Sequence, residues 1–331
     1  MSLLLRSPSS APSNHVLAAR EAMATRFEIV LPGRDKVSLR AAADEALDEI
    51  SRWEDRLSFY RNTSEIARIN TLAATQPVRI SAEVFGLIEQ SINLSKISRG
   101  AFDITVAPLM ECWGFTQGSG AWPDPGQWRE ARNRVGFENI ELDGPAQTIR
   151  FRKKGMRIDL GSIGKGFAID CAARLLRDLG IANALIHGGT STVCGIGGPS
   201  EGRDWNIAVE LPATNRRKAR LVGVIPLRDG ALSVSGVWGK AFRSRGGVYG
   251  HVMDPRSGKP VQSATLAAAS LPSATETDAL STALLVTGSK GFRTLTQARP
   301  NLRSIVVEKS RSGSRSQAVY LPDSLKPSPP R

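Results

Sequence analysis

The stretch that most constrains the fold runs from Arg157 to Gly198, RIDLGSIGKGFAIDCAARLLRDLGIANALIHGGTSTVCGIGG. Ile158 and Leu160 alternate around Asp159, the glycines Gly161, Gly164 and Gly166 follow, and Ile169, Ala172, Ala173, Leu176 and Leu179 then recur at helical spacing. The pattern predicts a strand, a glycine loop and a helix. Gly180 stands where a left-handed helix terminator belongs, and Ala184, Leu185 and Ile186 read as a second strand leading into Gly188 and Gly189. The helix therefore starts inside a loop carrying Lys165. Backbone N–H groups left free at a helix start, glycines that admit a ligand and one ammonium group together suit an anion, most simply a phosphate. The competing reading is a β-loop-α-β unit whose glycines serve turns alone. The spacing matches neither GxGxxG nor GxxxxGK[ST], so it signals neither a Rossmann fingerprint nor a P-loop.

At 331 residues, 41% of them hydrophobic, the chain can bury a sizeable core in one large domain or two small ones. No apolar run approaches the roughly 18 residues that span a bilayer. The opening MSLLLRSPSSAPSN offers only Leu3 to Leu5 before Arg6 and Pro8, which is no secretion signal, and no lipid-acceptor cysteine follows. The expected compartment is the cytoplasm, with no membrane partner. Cys112, Cys171 and Cys194 are odd in number, widely spaced and without a CxxC or a histidine cluster, which argues against a disulfide framework and a zinc site. The net charge of +13 is dispersed, with local clusters at 150–154, 216–220 and 309–315. Aromatics are only 6% and do not interleave with those clusters, so a solvated basic surface fits better than a nucleic-acid platform.

Residues 1–14 are Ser- and Pro-rich and expected to be disordered, as is the basic, Ser/Pro-rich tail 309–331. Phe27, Ile29 and Leu31 alternate up to Pro32-Gly33 as a strand, and Leu39 to Leu57 has helical periodicity. Ser64 precedes a short helix with Glu65 in its first turn, and Val84 to Ile97 is an amphipathic helix ended by Gly100. In the following GAFDITVAPLMECWGF, Asp103 and Thr105 form a polar pair among apolar residues, either a turn or a site. A Gly/Pro-rich loop to Pro125, a helix around Gln127 to Val135 and strands near Ile140 and Ile149 come next. Strands are also expected at Trp205 to Val209 and Leu221 to Leu227.

Two later stretches carry chemistry. In GGVYGHVMDPRSGKPV, Tyr249, His251 and Met253 would share one strand face before a turn, and His251 is either a base or phosphate donor or a hydrogen-bonded structural histidine. In SATETDALSTALLVTG, Ala279, Leu280, Ala283 and Leu284 face a core while Asp278 and Thr282, four apart, point out together. A carboxylate and a hydroxyl form a hard-oxygen pair suited to Mg²⁺; alternatively Thr275 is the helix N-cap and Asp278 its capping-box partner.

MATRFEI (23–29), LSFYRNTSEIARIN (57–70), GAFDITVAPLMECWGF, IDLGSIGKGFAID, HVMDPRSGKPV and TDALSTALLVTG resemble, in this order, the motif series of the ApbE family of FAD:protein FMN transferases. The resemblance covers residues 15–308. It implies an α+β fold, one globular unit of two joined subdomains, where periodicity alone supports only mixed α and β. It implies an enzyme that uses Mg²⁺ and FAD, attaches FMN by a phosphoester to a threonine or serine of an acceptor flavoprotein, and releases AMP. An FAD pyrophosphatase, or a flavin- or nucleic-acid-binding protein without turnover, is the alternative. By motif, the FAD contacts would be Met23, Tyr60, Ala101, Phe102, Asp103, Lys165, Cys171, His251 and Val252, with Tyr60 packed on the flavin ring. The metal ligands would be the Ala168 carbonyl, Asp278 and Thr282, and His251 would serve as the catalytic base. Departures are the Gly-Gly-Thr-Ser run at 188–191, an unusual cysteine at 171, and Ser281 where some members carry a carboxylate, which leaves its part in metal binding open.

Overall fold

Alternation at the N-terminus builds a hairpin: β1 (His15–Ala22) and β2 (Thr25–Pro32) pair antiparallel across a two-residue turn. Both turn residues, Met23 and Ala24, hold positive φ (49° and 57°), the twist a two-residue hairpin demands although neither is glycine. The computed structural model describes residues 14–308 except 119, 214–217, 246 and 263. The leader and the tail expected to be disordered lie, at 1–13 and 309–331, outside the described residues.

The chain continues through α1 (Lys36–Leu57), α2 (Glu65–Leu72), β3 (Val78–Arg79), α3 (Ala82–Ile97), α4 (Ala107–Cys112) and α5 (Pro125–Asn133). Then come β4 (Ile140–Asp143), β5 (Thr148–Phe151), α6 (Gly164–Asp178), β6 (Ala184–Gly188), β7 (Thr192–Ile196), β8 (Trp205–Leu211), β9 (Arg220–Leu227) and β10 (Gly230–Gly236). The last part comprises β11 (Ala241–Ser244), β12 (Gly247–Gly250), β13 (Met253–Asp254), β14 (Lys259–Pro260), β15 (Ala264–Leu271), α7 (Ala274–Thr287), α8 (Ser289–Ala298) and β16 (Arg303–Glu308). The architecture is α+β.

A seven-stranded antiparallel sheet in the order β1-β2-β6-β7-β10-β15-β16 organises the molecule. Its strands alternate between two cores, as the two-residue period requires. Phe27, Ile29, Ile186, Cys194, Ala231 and Ala267 join the buried faces of α1, α6 and α7 in the larger core. Val30, Leu185, Val193, Leu232 and Ala268 point the other way, onto Trp205, Ile207, Ile225 and Leu227 of the β8–β9 ribbon. Alternation through β10 thus sets Ala231, Ser233 and Ser235 toward α7, the side on which the site forms.

The helices start where their caps allow. Asp35 accepts the Ser38 N–H (3.1 Å), so α1 begins three residues before the expected Leu39. Ser64 accepts the Ala67 N–H (2.9 Å) and starts α2 as expected. Gly180, at φ 78°, ends α6 in the left-handed conformation, but Leu179, expected on the buried stripe, is the C-cap and 45% exposed. Among the described residues no helix is long and apolar enough to cross a membrane.

Two expected strands are absent. Residues 158–160 run extended without a ladder, because the Asn70 side chain takes both main-chain groups of Ile158 (2.7 and 2.9 Å) and the Asp159 N–H goes to the Ile104 carbonyl (2.7 Å). Tyr249 and Met253 do not share one strand with His251: β12 ends at Gly250, and β13 begins only at Met253. The break at His251 is stitched by its N–H to the Lys240 carbonyl (3.0 Å) and by Val261 N–H to Val252 (2.9 Å). Tyr249 instead stacks on Phe242 (5.5 Å) and meets Trp122 edge-on (5.3 Å).

Candidate active site

The site is built where the N-termini of α6 and α7 cross. A Cβ on Gly166 would lie 2.2 Å from the Ala274 carbonyl, so glycine is what lets the two helices touch. Each helix then satisfies the other's first turn. Asp170 of α6 accepts the N–H groups of Ala274 and Thr275 (both 2.9 Å) and the hydroxyls of Ser273 (2.8 Å) and Thr275 (2.6 Å). Asp278 of α7, itself buried, accepts the Gly166 N–H at 3.1 Å. Carboxylates at helix N-termini are favoured both as acceptors of unpaired N–H groups and by the helix dipole.

This geometry corrects two sequence expectations. The N-cap of α7 is Ser273, accepting from Glu276 N–H at 3.2 Å, so Thr275 lies inside the helix and Asp278 is not a capping-box partner. Nor is the glycine loop a row of free donors. The Gly164 N–H bonds to Leu160 (2.7 Å), that of Gly161 to Asp159 (2.8 Å) and that of Gly166 to Asp278. An anion here would meet chiefly the Lys165 ammonium, which donates to the Gly161 carbonyl (3.0 Å) at the lip of the loop.

Two clefts, of about 350 and 290 Å³, open on either side of that loop and share Asp159, Gly161 and Lys165. The larger brings together eight of the expected residues: Ala101, Phe102, Asp103, Lys165, His251, Val252, Asp278 and Thr282. The smaller holds Met23, from the strained hairpin turn, and Tyr60, which is 67% exposed and presents its ring to the opening. Ala168 and Cys171 line neither cleft. Both are buried in α6, where i to i+4 geometry engages the Ala168 carbonyl and burial pushes the Cys171 thiol up to about 12. Ser281, fully buried behind Asp278 and Thr282, also faces neither.

Burial dominates the electrostatics. It pushes the Asp103 carboxyl up to about 6, against hydrogen bonds from Thr105 N–H (2.9 Å), Thr105 hydroxyl (2.7 Å) and Phe137 N–H (3.0 Å). It raises Asp159 as well, opposed by the Gly161 N–H, Lys165 and Arg157. His251 moves the other way: burial, then the Lys165 and Lys240 charges, hold its imidazole below the ordinary value despite the opposing Lys240 main chain. Its Nδ1 is buried with no hydrogen-bond partner among the described residues. A neutral imidazole lining a cleft is equipped to accept a proton.

Sequence reading missed three groups. Asp159 forms the wall common to both clefts, and its signal was a lone carboxylate between Ile158 and Leu160. Asp170 was detectable as a carboxylate four residues, one helical turn, after Gly166. Ser235, in the larger cleft, follows from strand alternation with Ala231 and Ser233, but nothing local marks it.

Among the described residues no three His, Cys, Asp or Glu side chains converge as a metal cluster. Asp278 and Thr282 offer one carboxylate and one hydroxyl. That donor set fits Mg²⁺, which keeps waters and takes its other oxygens from substrate phosphates, and does not fit zinc.

The fold is that of a class of transferase enzymes of known structure. The ApbE crystal structure from Thermotoga maritima superposes at a TM-score of 0.79 with 26% identity, covering 92% of this chain and 97% of that one. The flavin transferase ApbE from Vibrio cholerae gives 0.77 and 26%, over 93% and 98%. Among curated relatives, the FAD:protein FMN transferase of Haemophilus influenzae is 32% identical over 267 residues, 77% of this chain and 76% of the relative. That of Vibrio cholerae serotype O1 is 29% identical over 98% of this chain and 96% of its own length. The sequence model of the ApbE family matches residues 23–306, and the chain belongs to that family.

Proposed function

We propose that this protein transfers the FMN portion of FAD to a threonine or serine hydroxyl of an acceptor flavoprotein, releasing AMP. The relatives' activity and the match along nearly the whole chain support the reading, but the observation that carries it is local. A neutral histidine, a lysine and an Asp/Thr oxygen pair line one cleft, next to a second cleft walled by an exposed tyrosine. In this reading Tyr60 and Met23 flank the flavin, and the pyrophosphate lies along the shared wall by Lys165. Ala101, Phe102, Asp103 and Val252 shape the larger cleft around the rest of FAD.

Mg²⁺ held by Asp278 and Thr282 would neutralise charge developing on the pyrophosphate. His251 takes the proton of the acceptor hydroxyl as its oxygen bonds to the FMN phosphorus. The bond from that phosphorus to the bridging oxygen breaks, and AMP leaves with the electron pair. A hydroxyl is a weak nucleophile unassisted, so the base is what the reaction most needs from the protein. Incubation with FAD and Mg²⁺, with and without an acceptor bearing a flavinylation site, tests the proposal. AMP with covalently fluorescent acceptor supports transfer, AMP with free FMN means hydrolysis, and no AMP rejects both.

A further inference from the structure

We infer that Ser235 and Ser281 are positioning residues that fix the hydroxyl direction of Thr282, leaving its lone pairs turned into the cleft. The inference rests on the proposal that Asp278 and Thr282 face a divalent cation, and it deepens that reading. Four contacts carry it. Ser281 Oγ lies 2.9 Å from the Asp278 carbonyl, Ser235 Oγ lies 2.8 Å from Ser281 Oγ and 3.2 Å from Thr282 Oγ1, and Thr282 Oγ1 lies 3.3 Å from the Asp278 carbonyl.

Each hydroxyl has a single proton and the Asp278 carbonyl can accept two, so four arrangements are open: two run the chain end to end, and two place both Ser281 and Thr282 on that carbonyl with Ser235 donating to one of them. In the first, Thr282 donates to Ser235, Ser235 to Ser281, and Ser281 to the Asp278 carbonyl. In the reverse, Ser281 donates to Ser235, Ser235 to Thr282, and Thr282 to that carbonyl. The reverse leaves two acceptors facing each other at 2.9 Å with no proton between them, and puts the terminal proton on the longer contact of 3.3 Å. The two arrangements with both donors on the carbonyl leave the 3.2 Å or the 2.8 Å contact without a proton, whereas the first leaves only the longest, 3.3 Å, so it is favoured. Ser281 is fully buried and has no water to turn to, which anchors the relay's end. The consequence is chemical. With its proton committed to Ser235, Thr282 offers the cleft an oxygen that only accepts, which is what a cation needs and a freely rotating hydroxyl does not guarantee. This gives Ser281, whose place in the motif left a ligand role open, a role behind the ligand.

Strand β10 supplies its own control. Ser233 lies on the same face two residues earlier, and its hydroxyl bonds to those of Thr192 (3.1 Å) and Thr277 (2.8 Å), outside the relay and outside the clefts. The test is Mn²⁺ binding to the full chain, followed by loss of the free-ion EPR signal, with the melting temperature of metal-free protein alongside. Ser235→Ala should weaken Mn²⁺ by about three- to tenfold, the worth of one hydrogen bond, while Ser235→Thr restores it and Ser233→Ala binds like wild type. Asp278→Asn should bind far more weakly than any of these. Wild-type affinity in Ser235→Ala, or equal weakening in Ser233→Ala, overturns the relay alone. Absent Mn²⁺ binding in wild type, or unchanged binding in Asp278→Asn, overturns the metal reading and the relay with it. Should Ser235→Ala fail to fold, Ser281→Ala carries the same expectations from the other end of the chain.

Discussion

The two walls of the larger cleft are built on opposite principles. On the helix wall, at the crossing of α6 and α7, the polar groups are tied into mutual contacts: Asp170 into four hydrogen bonds, Asp278 to Gly166, and three hydroxyls into a ladder. On the hairpin wall, His251 sits in a break between short strands, its Nδ1 buried and without a hydrogen-bond partner among the described residues. Satisfied networks fix geometry, whereas an unsatisfied buried group stores a cost that a ligand proton or hydrogen bond can relieve. In the proposed reaction the helix wall would hold the cation and the hairpin wall would take the proton.

The largest effect that could break this contrast is at Asp278. If the helix wall holds the cation, Asp278→Asn removes the only carboxylate of the pair and should lower AMP release by about a thousandfold, some 4 kcal/mol of lost charge stabilisation. Thr282→Ala should act in the same direction and less, because a hydroxyl is neutral. A normal magnesium dependence in Asp278→Asn, with an unchanged melting temperature, would remove the residue from metal binding.

On the other wall, His251→Ala should keep FAD binding and lose about a hundredfold in transfer, the usual contribution of a general base. The same wall sets the pH response. Because burial and two lysines hold the imidazole below its ordinary value, it loses its proton earlier as pH rises. The acid limb of transfer should therefore fall at a pH below that of an unperturbed histidine, about 6.5, and should vanish in His251→Ala. An acid limb that persists unchanged in the variant belongs to another group.

How far the sequence foretold these walls depends on the range of the contacts that make them. The helices α1, α2 and α3, the shared face of Asp278 and Thr282 and the left-handed Gly180 were legible because periodicity and capping act within one or two turns. The missing strand at 158–160 was not, because Asn70, 88 residues away, substitutes for a neighbouring strand. Local rules likewise took Asp278 for a cap partner and the glycine loop for a free anion nest. The first fails because Ser273 caps α7, and the second because the Gly161 and Gly164 N–H groups are spent within the loop and that of Gly166 on Asp278 across the helix crossing. The motif series gathered eight residues into one cleft, yet Ala168 and Cys171, carried in by the same series, stay inside α6.

Gly166→Ala tests whether the helix wall needs that contact. A methyl group 2.2 Å from a backbone carbonyl cannot be absorbed by rotating a side chain, so α6 and α7 must part. Overpacking of this kind should cost about 2 kcal/mol, read as a lower denaturation midpoint, and should weaken magnesium dependence because Asp278 moves with α7. Undiminished stability would show the crossing to be looser than its hydrogen bonds imply.

The smallest expected effect lies in the second cleft, where Tyr60 belongs to neither wall. Two-thirds of its surface is exposed, and its one ring neighbour is Phe59, edge-on at 5.4 Å, so one face is open to a planar ligand. Stacking of aromatic planes contributes about 0.5–1.5 kcal/mol beyond area burial, so Tyr60→Ala should weaken FAD by about tenfold or less in a fluorescence-quenching titration. Tyr60→Phe keeps the ring and drops the hydroxyl, which has no hydrogen-bond partner among the described residues and whose proton is held more tightly by burial and the nearby Asp159. That variant should bind FAD as wild type does. If Phe weakens binding as much as Ala, the hydroxyl and not the ring makes the contact, and the flavin does not stack there. If neither change alters binding, the smaller cleft is not where FAD sits, and the flavin must share the larger one with the groups that act on its pyrophosphate.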